Sequence, residues 1–219
     1  MEVITIREGV VTLSEECVIR RVGLEAFKEK LAVGLKVQTP VLPRGAVLYS
    51  AKGLKSLVVL EEPPQSRSIT HRNLRQQIRT YSIPLPWVYL VPVFHGTALD
   101  NLFVFFANES IQRGTDPLCF PTLPNTNDDC RVCLGDYRYS ITRALSHGIA
   151  DISKYYWGSN FNLDLSTLYS TKMPDAIVSA TPDGTELFEG WSTISPACAR
   201  ELKWTPYRTL DEAVTYALA

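Results

Sequence analysis

The chain reads as an α+β protein built on an antiparallel β-meander with flanking helices. Three observations predict this. Two apolar segments of strand length, Leu85–Phe94 and Leu102–Ala107, follow one another across His95-Gly96-Thr97-Ala98. A sustained helical period runs from Ile141 to Tyr156, where Ile141, Leu145, Ile149, Ile152 and Tyr156 recur at steps of four, four, three and four. The order is strand and helix, then several strands, then helix, so the two element types are segregated rather than alternating.

Taken from the N-terminus, residues 2–7 and 16–21 read as short strands, the second closing on Arg20-Arg21. Gly23 to Ala32 is expected to be a helix. Leu24, Phe27 and Leu31 share one face, Glu25, Lys28 and Glu29 lie off it, and Gly34 supplies a stop. Pro40 to Arg44 is a linker. Ala46–Ser50 and Ser56–Leu60 form a hairpin around Ala51-Lys52-Gly53. Pro63-Pro64-Gln65-Ser66 is a second break.

Thr70 to Tyr81 fits two readings: Leu74, Ile78 and Tyr81 make a helical stripe, and the flanking Ser and Thr allow a strand. Residues 110–135 are rich in turn signals, with Pro117, Pro121 and Pro124. Ser140 is placed to cap the helix that starts at Ile141. Gly148 inside that helix costs about 1 kcal/mol against Ala. Residues 158–208 show no clear period and read as loops and short strands. Thr209-Leu210-Asp211-Glu212 is a capping box that opens a short C-terminal helix. The organisation expected is N-terminal strands over 1–22, an α+β domain over 23–165, and a C-terminal extension over 166–219 packed on the same domain.

The composition narrows the function classes. Of 219 residues, 45% are hydrophobic and 21% charged, with a formal net charge of -1. This is ordinary globular usage, with no overall field to draw the chain to nucleic acid or an anionic membrane. No apolar run reaches the roughly 20 residues of a membrane helix. Met1 to Glu8 lacks the apolar core of a signal peptide, so a soluble cytoplasmic protein is expected. The five cysteines, Cys17, Cys119, Cys130, Cys133 and Cys198, read as reduced thiols rather than a disulfide framework.

The chemistry concentrates in Leu123-Pro124-Asn125-Thr126-Asn127-Asp128-Asp129-Cys130-Arg131-Val132-Cys133-Leu134-Gly135. An Asn and a Cys eight positions apart flank a polar turn, so an amide donor and a thiol can face one site. That suits acyl transfer through sulfur: the thiolate attacks the carbonyl and the amide stabilises the oxyanion. Asp136, three residues after the thiol, is placed to orient an incoming amine, and His147 on the following helix is a possible proton acceptor.

Blander readings of the same residues exist. An isolated Cys in an apolar run is commonly a core thiol, and an Asn in a turn commonly bonds its own backbone. Cys130 and Cys133 resemble half a zinc site or a redox pair. Four zinc ligands are needed, however, and His71, His95 and His147 are the only further candidates. Arg72, Arg75 and Arg79 would line one side of a helix over this stretch, as a solvated face or as a docking patch for an acidic partner. Tyr155, Tyr156, Trp157 and Phe161 read as core or as a subunit contact.

Over roughly Leu24 to Leu165 the chain resembles the ubiquitin-conjugating enzyme family. That family's signature is His-Pro-Asn, a polar turn containing Gly, a branched apolar residue, the catalytic Cys and Leu. Pro124 and Asn125 match, Asp128 and Asp129 sit in the turn, and Val132-Cys133-Leu134 matches the nucleophile segment. Asp116-Pro117-Leu118-Cys119-Phe120-Pro121 lies where the family has its proline-containing approach. Leu123 stands in place of the signature His, and Cys130 stands where the family has Gly, a position that serves a positive backbone dihedral.

The bacterial branch, of the PRTRC system protein B type, is the nearer likeness. The resemblance implies a UBC-like fold with N- and C-terminal additions. It further implies Cys133 as thioester-forming nucleophile, Asn125 as oxyanion donor and Asp136 as an accessory residue. A ubiquitin-like modifier and its activating enzyme would be the partners, and no cofactor or metal would be needed. The alternative is a non-catalytic structural or interaction subunit, of a complex or a virion, that keeps the UBC-like fold.

Overall fold

The computed structural model describes residues 3–7, 10–15, 18–23, 41–73, 76–141, 145–162, 171–181, 187–199 and 201–219. The chain divides into two compact units, Met1–Pro40 and Val41–Ala219. In the first, β1 (Val3–Arg7), β2 (Val10–Glu15) and β3 (Val18–Gly23) form an antiparallel sheet in that order. The sequence reading has two strands here; the middle one is new. Of the helix expected from Gly23, only Gly23 falls among the described residues, and it closes β3.

The second unit is built on a six-stranded sheet ordered β12-β10-β9-β8-β5-β4, with antiparallel pairing throughout. Its strands are β4 (Ala46–Lys52), β5 (Lys55–Glu62), β8 (Trp87–His95), β9 (Ala98–Ala107), β10 (Pro117–Cys119) and β12 (Pro206–Thr209). The β4–β5 and β8–β9 hairpins each turn through a glycine in the left-handed region, Gly53 at φ 62° and Gly96 at φ 61°. A Cβ would strain the backbone at these points. The coarse expectation of an α+β fold on an antiparallel meander therefore holds.

Between β5 and β8 the chain leaves the sheet as a second hairpin, β6 (Gln65–Arg72) and β7 (Ile78–Leu85). Strand β11 (Asn160–Asn162) adds to β6 in parallel. Of the two readings of Thr70–Tyr81, the strand is realised. Eight residues of β6 pair with eight of β7, and Gln77 N donates to Asn73 Oδ1 at 2.9 Å across the turn. A helical stripe of Arg72, Arg75 and Arg79 is accordingly not formed. Arg72 pairs with Ile78 in the register, Arg79 pairs with His71 and makes an ion pair with Glu189, and Arg75 lies outside the described residues.

Both faces of the large sheet are covered. Val58, Leu60, Val88, Leu90, Val104 and Phe106 face one core, and Leu57, Val59, Tyr89, Val91, Phe103 and Phe105 face the other. This is why the strands read as continuous apolar runs rather than alternating ones. The first face is covered by α1 (Leu145–Gly158), through Ile149, Ile152 and Tyr156, and by Phe188, Trp191 and Trp204. Within α1, a Cβ on Gly148 would come within 3.2 Å of Tyr139 and of Ile141, so a larger residue there would have to push one of these side chains aside.

Ser140 is not the cap expected of it. It bridges Ala98 instead, and the described helix begins at Leu145. Phe161 and Tyr156 are core, while Trp157 is half-buried, stacks under Arg67 at 4.3 Å and donates to Glu62. Where loops and short strands were expected after residue 158, the described residues include short helices as well, α2 (Asp175–Ser179), α3 (Leu187–Thr193) and α4 (Pro196–Ala199). Tertiary packing holds α3, whose Trp191 is fully buried and donates from Nε1 to the Pro84 carbonyl at 3.1 Å.

The second face is covered by α5 (Leu210–Ala217), through Leu210, Ala213 and Ala217. Its capping box forms as expected: Thr209 Oγ1 accepts from Glu212 N and Glu212 accepts from Thr209 N at 2.8 Å. The C-terminal residues thus belong to the same compact unit as the meander. Among the described residues no helix is long and apolar enough to cross a membrane.

Candidate functional site

After β10 the chain folds into a small hairpin beside β9. Residues 130–132 bond to it as an added edge: Val104 N donates to Cys130 O at 3.0 Å, and Val132 N donates to Leu102 O at 2.8 Å. Thr126 bridges Val132, Asn127 N donates to Arg131 O at 2.8 Å, and Cys133 N donates to Asn125 O at 2.8 Å. One step out from the Thr126–Val132 bridge, the antiparallel register sets Asn125 opposite Cys133. Cys130 N donates to Asn127 O at 2.9 Å, which makes residues 127–130 a tight turn that ends in a left-handed residue, Cys130 at φ 68°. Side chains brace the turn: Asp129 accepts from Arg131 N at 3.1 Å, and Asn127 Nδ2 donates to Arg131 O at 3.1 Å.

The thiols divide by burial. Cys133 and Cys198 are exposed, and Cys119 and Cys130 are buried. Burial pushes the Cys119 thiol up to about 11 and that of Cys130 higher still. Cys130 is fully enclosed in the core beneath α5, so it does not share a face with Cys133. Among the described residues no group of three or more His, Cys, Asp or Glu side chains gathers to hold a metal. Cys17 lies outside the described residues.

Asn125 is half-buried at φ 62°, a conformation that Asn tolerates better than most residues. Its amide is engaged at both ends. Nδ2 donates to Asn160 O at 3.0 Å and Oδ1 accepts from Asn162 N at 2.9 Å, while its backbone N donates to Asn162 O at 3.3 Å. Asn125 therefore joins the thiol hairpin to β11 and, through it, to the small sheet. Asp136 is exposed in the turn after the thiol, where Tyr137 N donates to Leu134 O at 2.9 Å and Gly135 takes φ 53°. His147 is exposed on α1. Of the predicted site residues, the backbone ladder brings Asn125 and Cys133 together, and Asp136 stands on the neighbouring turn.

Several residues around the site were not connected to it in the sequence. Asn160 and Asn162 meet Asn125 from 35 and 37 positions away. Tyr155 stacks on Tyr137 with ring centroids 3.6 Å apart, and its hydroxyl donates to Leu134 O at 3.2 Å. Tyr216, on α5, donates to Asp129 at 3.0 Å. The polar–apolar–polar alternation of Asn160-Phe161-Asn162 was the one usable signal, and three residues are too few to read as a strand.

Backbone strain gathers here. Among the described residues, four that are not glycine take a positive φ: Gln76 at 61°, Thr122 at 40°, Asn125 at 62° and Cys130 at 68°. Three of the four fall between residues 122 and 130. A β-branched residue such as Thr122 is especially disfavoured there, and its hydroxyl is buried without a hydrogen-bond partner. Such positions cost on the order of 1–3 kcal/mol each and persist only where surrounding structure fixes them.

A separate cleft of about 400 Å³ opens at the other end of β9, lined by Pro63, Pro64, Pro86, Trp87, Asn108 and Trp204 among others. Asn108 lies six residues beyond Leu102, about 20 Å along an extended strand, and among the described residues the lining includes no titratable group. Comparison with family models, curated proteins and solved structures finds no match to the chain.

Proposed function

We propose that this protein is a ubiquitin-conjugating-like acyl carrier, with Cys133 as the residue that holds the acyl group and a UBC-like variant of the α+β fold as its scaffold. The observation that carries the reading is the cross-strand pair: an exposed thiol held opposite Asn125 by the Cys133 N–H to Asn125 carbonyl bond. Charging is a thioester exchange. The Cys133 thiolate attacks the C-terminal carbonyl of a ubiquitin-like modifier carried on its activating enzyme. A new C–S bond forms, the old one breaks, and the activating enzyme's thiolate leaves. In discharge an amine attacks the same carbonyl, the C–S bond to Cys133 breaks, and the amine's proton passes to solvent or to Asp136.

An amide NH2 has two donors. In Asn125 one is directed at Asn160 O, and the second is the one assigned to the oxyanion in both steps. No cofactor enters this chemistry. It requires a reduced thiol, which suits the cytoplasm, and its partners are the modifier and the activating enzyme of a bacterial, PRTRC-type system.

The test is incubation with an activating enzyme and a ubiquitin-like protein of the bacterial PRTRC type, together with ATP. A reductant-sensitive adduct is expected. Cys133→Ser should convert it to a reductant-resistant ester, and Cys198→Ser should leave it unchanged. Loss of the oxyanion donor in Asn125→Ala should slow discharge on the order of 100-fold. An adduct that survives unchanged in Cys133→Ser, or none at all from the wild-type chain, overturns the reading.

A second reading, a non-catalytic interaction subunit on the same fold, is favoured by one observation: the Asn125 amide is bonded at both ends to β11 and so has a structural task. It predicts no adduct, together with a stable complex whose formation is indifferent to Cys133→Ser.

A further inference from the structure

We propose that Tyr216 is a positioning residue for the thiol hairpin: from the C-terminal helix it holds Asp129, and thereby holds the Asn127–Cys130 turn in the shape that lays Cys133 against Asn125. The inference gives the C-terminal segment a task at this site, and its consequence for transfer rests on the acyl-carrier reading.

Three groups of contacts converge. The Tyr216 hydroxyl donates to Asp129 Oδ2 at 3.0 Å, and Arg131 N donates to Asp129 Oδ1 at 3.1 Å, so the carboxylate ties α5 to the returning strand of the hairpin. The Tyr216 ring is fixed between two neighbours. Phe103 of β9 meets it edge-on at 5.9 Å, and the Arg208 guanidinium lies over it at 4.4 Å. Beneath the turn, Cys130 is buried in the same core as Leu210, Ala213 and Ala217 of α5, so the helix supports the turn from below as well as at its rim.

The turn needs such support because Cys130 occupies a left-handed conformation that favours Gly, and an unbraced turn would relax away from it. The two bonds that define the hairpin are Asn127 N to Arg131 O and Cys133 N to Asn125 O. Both follow from the turn's shape, so loosening the turn opens them.

Amide hydrogen exchange on the full chain, read by NMR at Asn127 and Cys133, tests this directly. Tyr216→Phe keeps the ring against Phe103 and removes the hydroxyl. Exchange at both amides is expected to rise about fivefold, as for loss of one partly exposed hydrogen bond to a carboxylate, while amides of β8 stay unchanged. Asp129→Asn, which keeps an acceptor, should stay within about twofold of wild type, and Tyr216→Phe with Asp129→Ala should be no faster than Asp129→Ala alone. Unchanged exchange at Cys133 in Tyr216→Phe, or a uniform rise across the whole chain, overturns the proposal. In the charging assay Tyr216→Phe should lower kcat and leave KM for the charged activating enzyme unaltered. If the amides respond and the wild-type chain forms no thioester, the brace stands and the acyl-carrier reading falls.

Discussion

Asn125 offers the sharpest test of how the site is held. Its side chain spans two backbone groups of β11, donating to Asn160 O and accepting from Asn162 N. In a half-buried position each bond is worth about 1 kcal/mol net. Asn125→Gly removes both and keeps the left-handed backbone comfortable, so it should cost about 2 kcal/mol. Asn125→Ala removes both and also places a Cβ residue at φ 62°, which adds about 1 kcal/mol, for a total of about 3 kcal/mol.

Asn125→Asp separates the two ends. The carboxylate still accepts from Asn162 N and sets a second anionic oxygen against the Asn160 carbonyl. Its folded-state pKa is therefore raised, because only the protonated acid can donate to that carbonyl. A raised carboxyl pKa means that stability lost at neutral pH returns as pH falls through the folded-state value. Urea unfolding at neutral pH and at about pH 4 gives all of these numbers, provided the slope is common to the variants. If Asn125→Gly and Asn125→Ala both fall within about 0.5 kcal/mol of wild type, the amide is not a staple between hairpin and strand, and the argument for how Cys133 is placed loses its base.

Three further outcomes are expected. Brief treatment of the native protein with iodoacetamide should label Cys133 and Cys198 and spare Cys119 and Cys130, which are buried; mass spectrometry after digestion reads this, and protection should vanish in urea. Thr209→Ala should lower stability by about 1 kcal/mol by removing the cap of α5, as measured by the urea midpoint. His71 is buried and its pKa lies below 6.5 because burial disfavours the imidazolium. The unfolded chain takes up the proton first, so stability should be full above pH 6.5 and decline as pH falls below it. His71→Gln should flatten that part of the midpoint-versus-pH curve.

How much of this was legible in the sequence depended on the range of the forces involved. The β4–β5 and β8–β9 hairpins and the C-terminal capping box are local, and their residues announce them: Gly53, Gly96, and Thr209 with Glu212. The stretch Thr70–Tyr81 had a helical stripe and a composition that allowed a strand, and pairing across the β6–β7 hairpin and with β11 decided it as strand. Ser140 had the chemistry of a cap and lost that role to a bridge with Ala98, 42 positions away in the chain. At the site, the Asn125–Cys133 spacing pointed correctly to a shared turn, since an eight-residue separation closes on itself through local bonds. The partners that fix this turn, Asn160, Asn162 and Tyr216, come from segments 35 to 87 positions away and left no periodic trace.

The cysteine at the end of the turn shows how the two scales meet. Local preference alone favours Gly at residue 130, where φ is 68°. The side chain at that position, however, points into the core beneath α5 and is wholly enclosed there. A glycine would relieve backbone strain of roughly 1 kcal/mol and leave a void the size of a thiomethyl group, which costs a comparable amount. With these terms near balance, burial against α5 compensates for the dihedral, and the turn becomes dependent on that helix. A hairpin stabilised by its own glycine would keep its shape alone. This one, strained also at Thr122 and Asn125, is in contact with β11 through Asn125 and with α5 through Asp129. The exposed thiol of Cys133 is thereby set by β9, β11 and α5 together with the local bonds of its own loop.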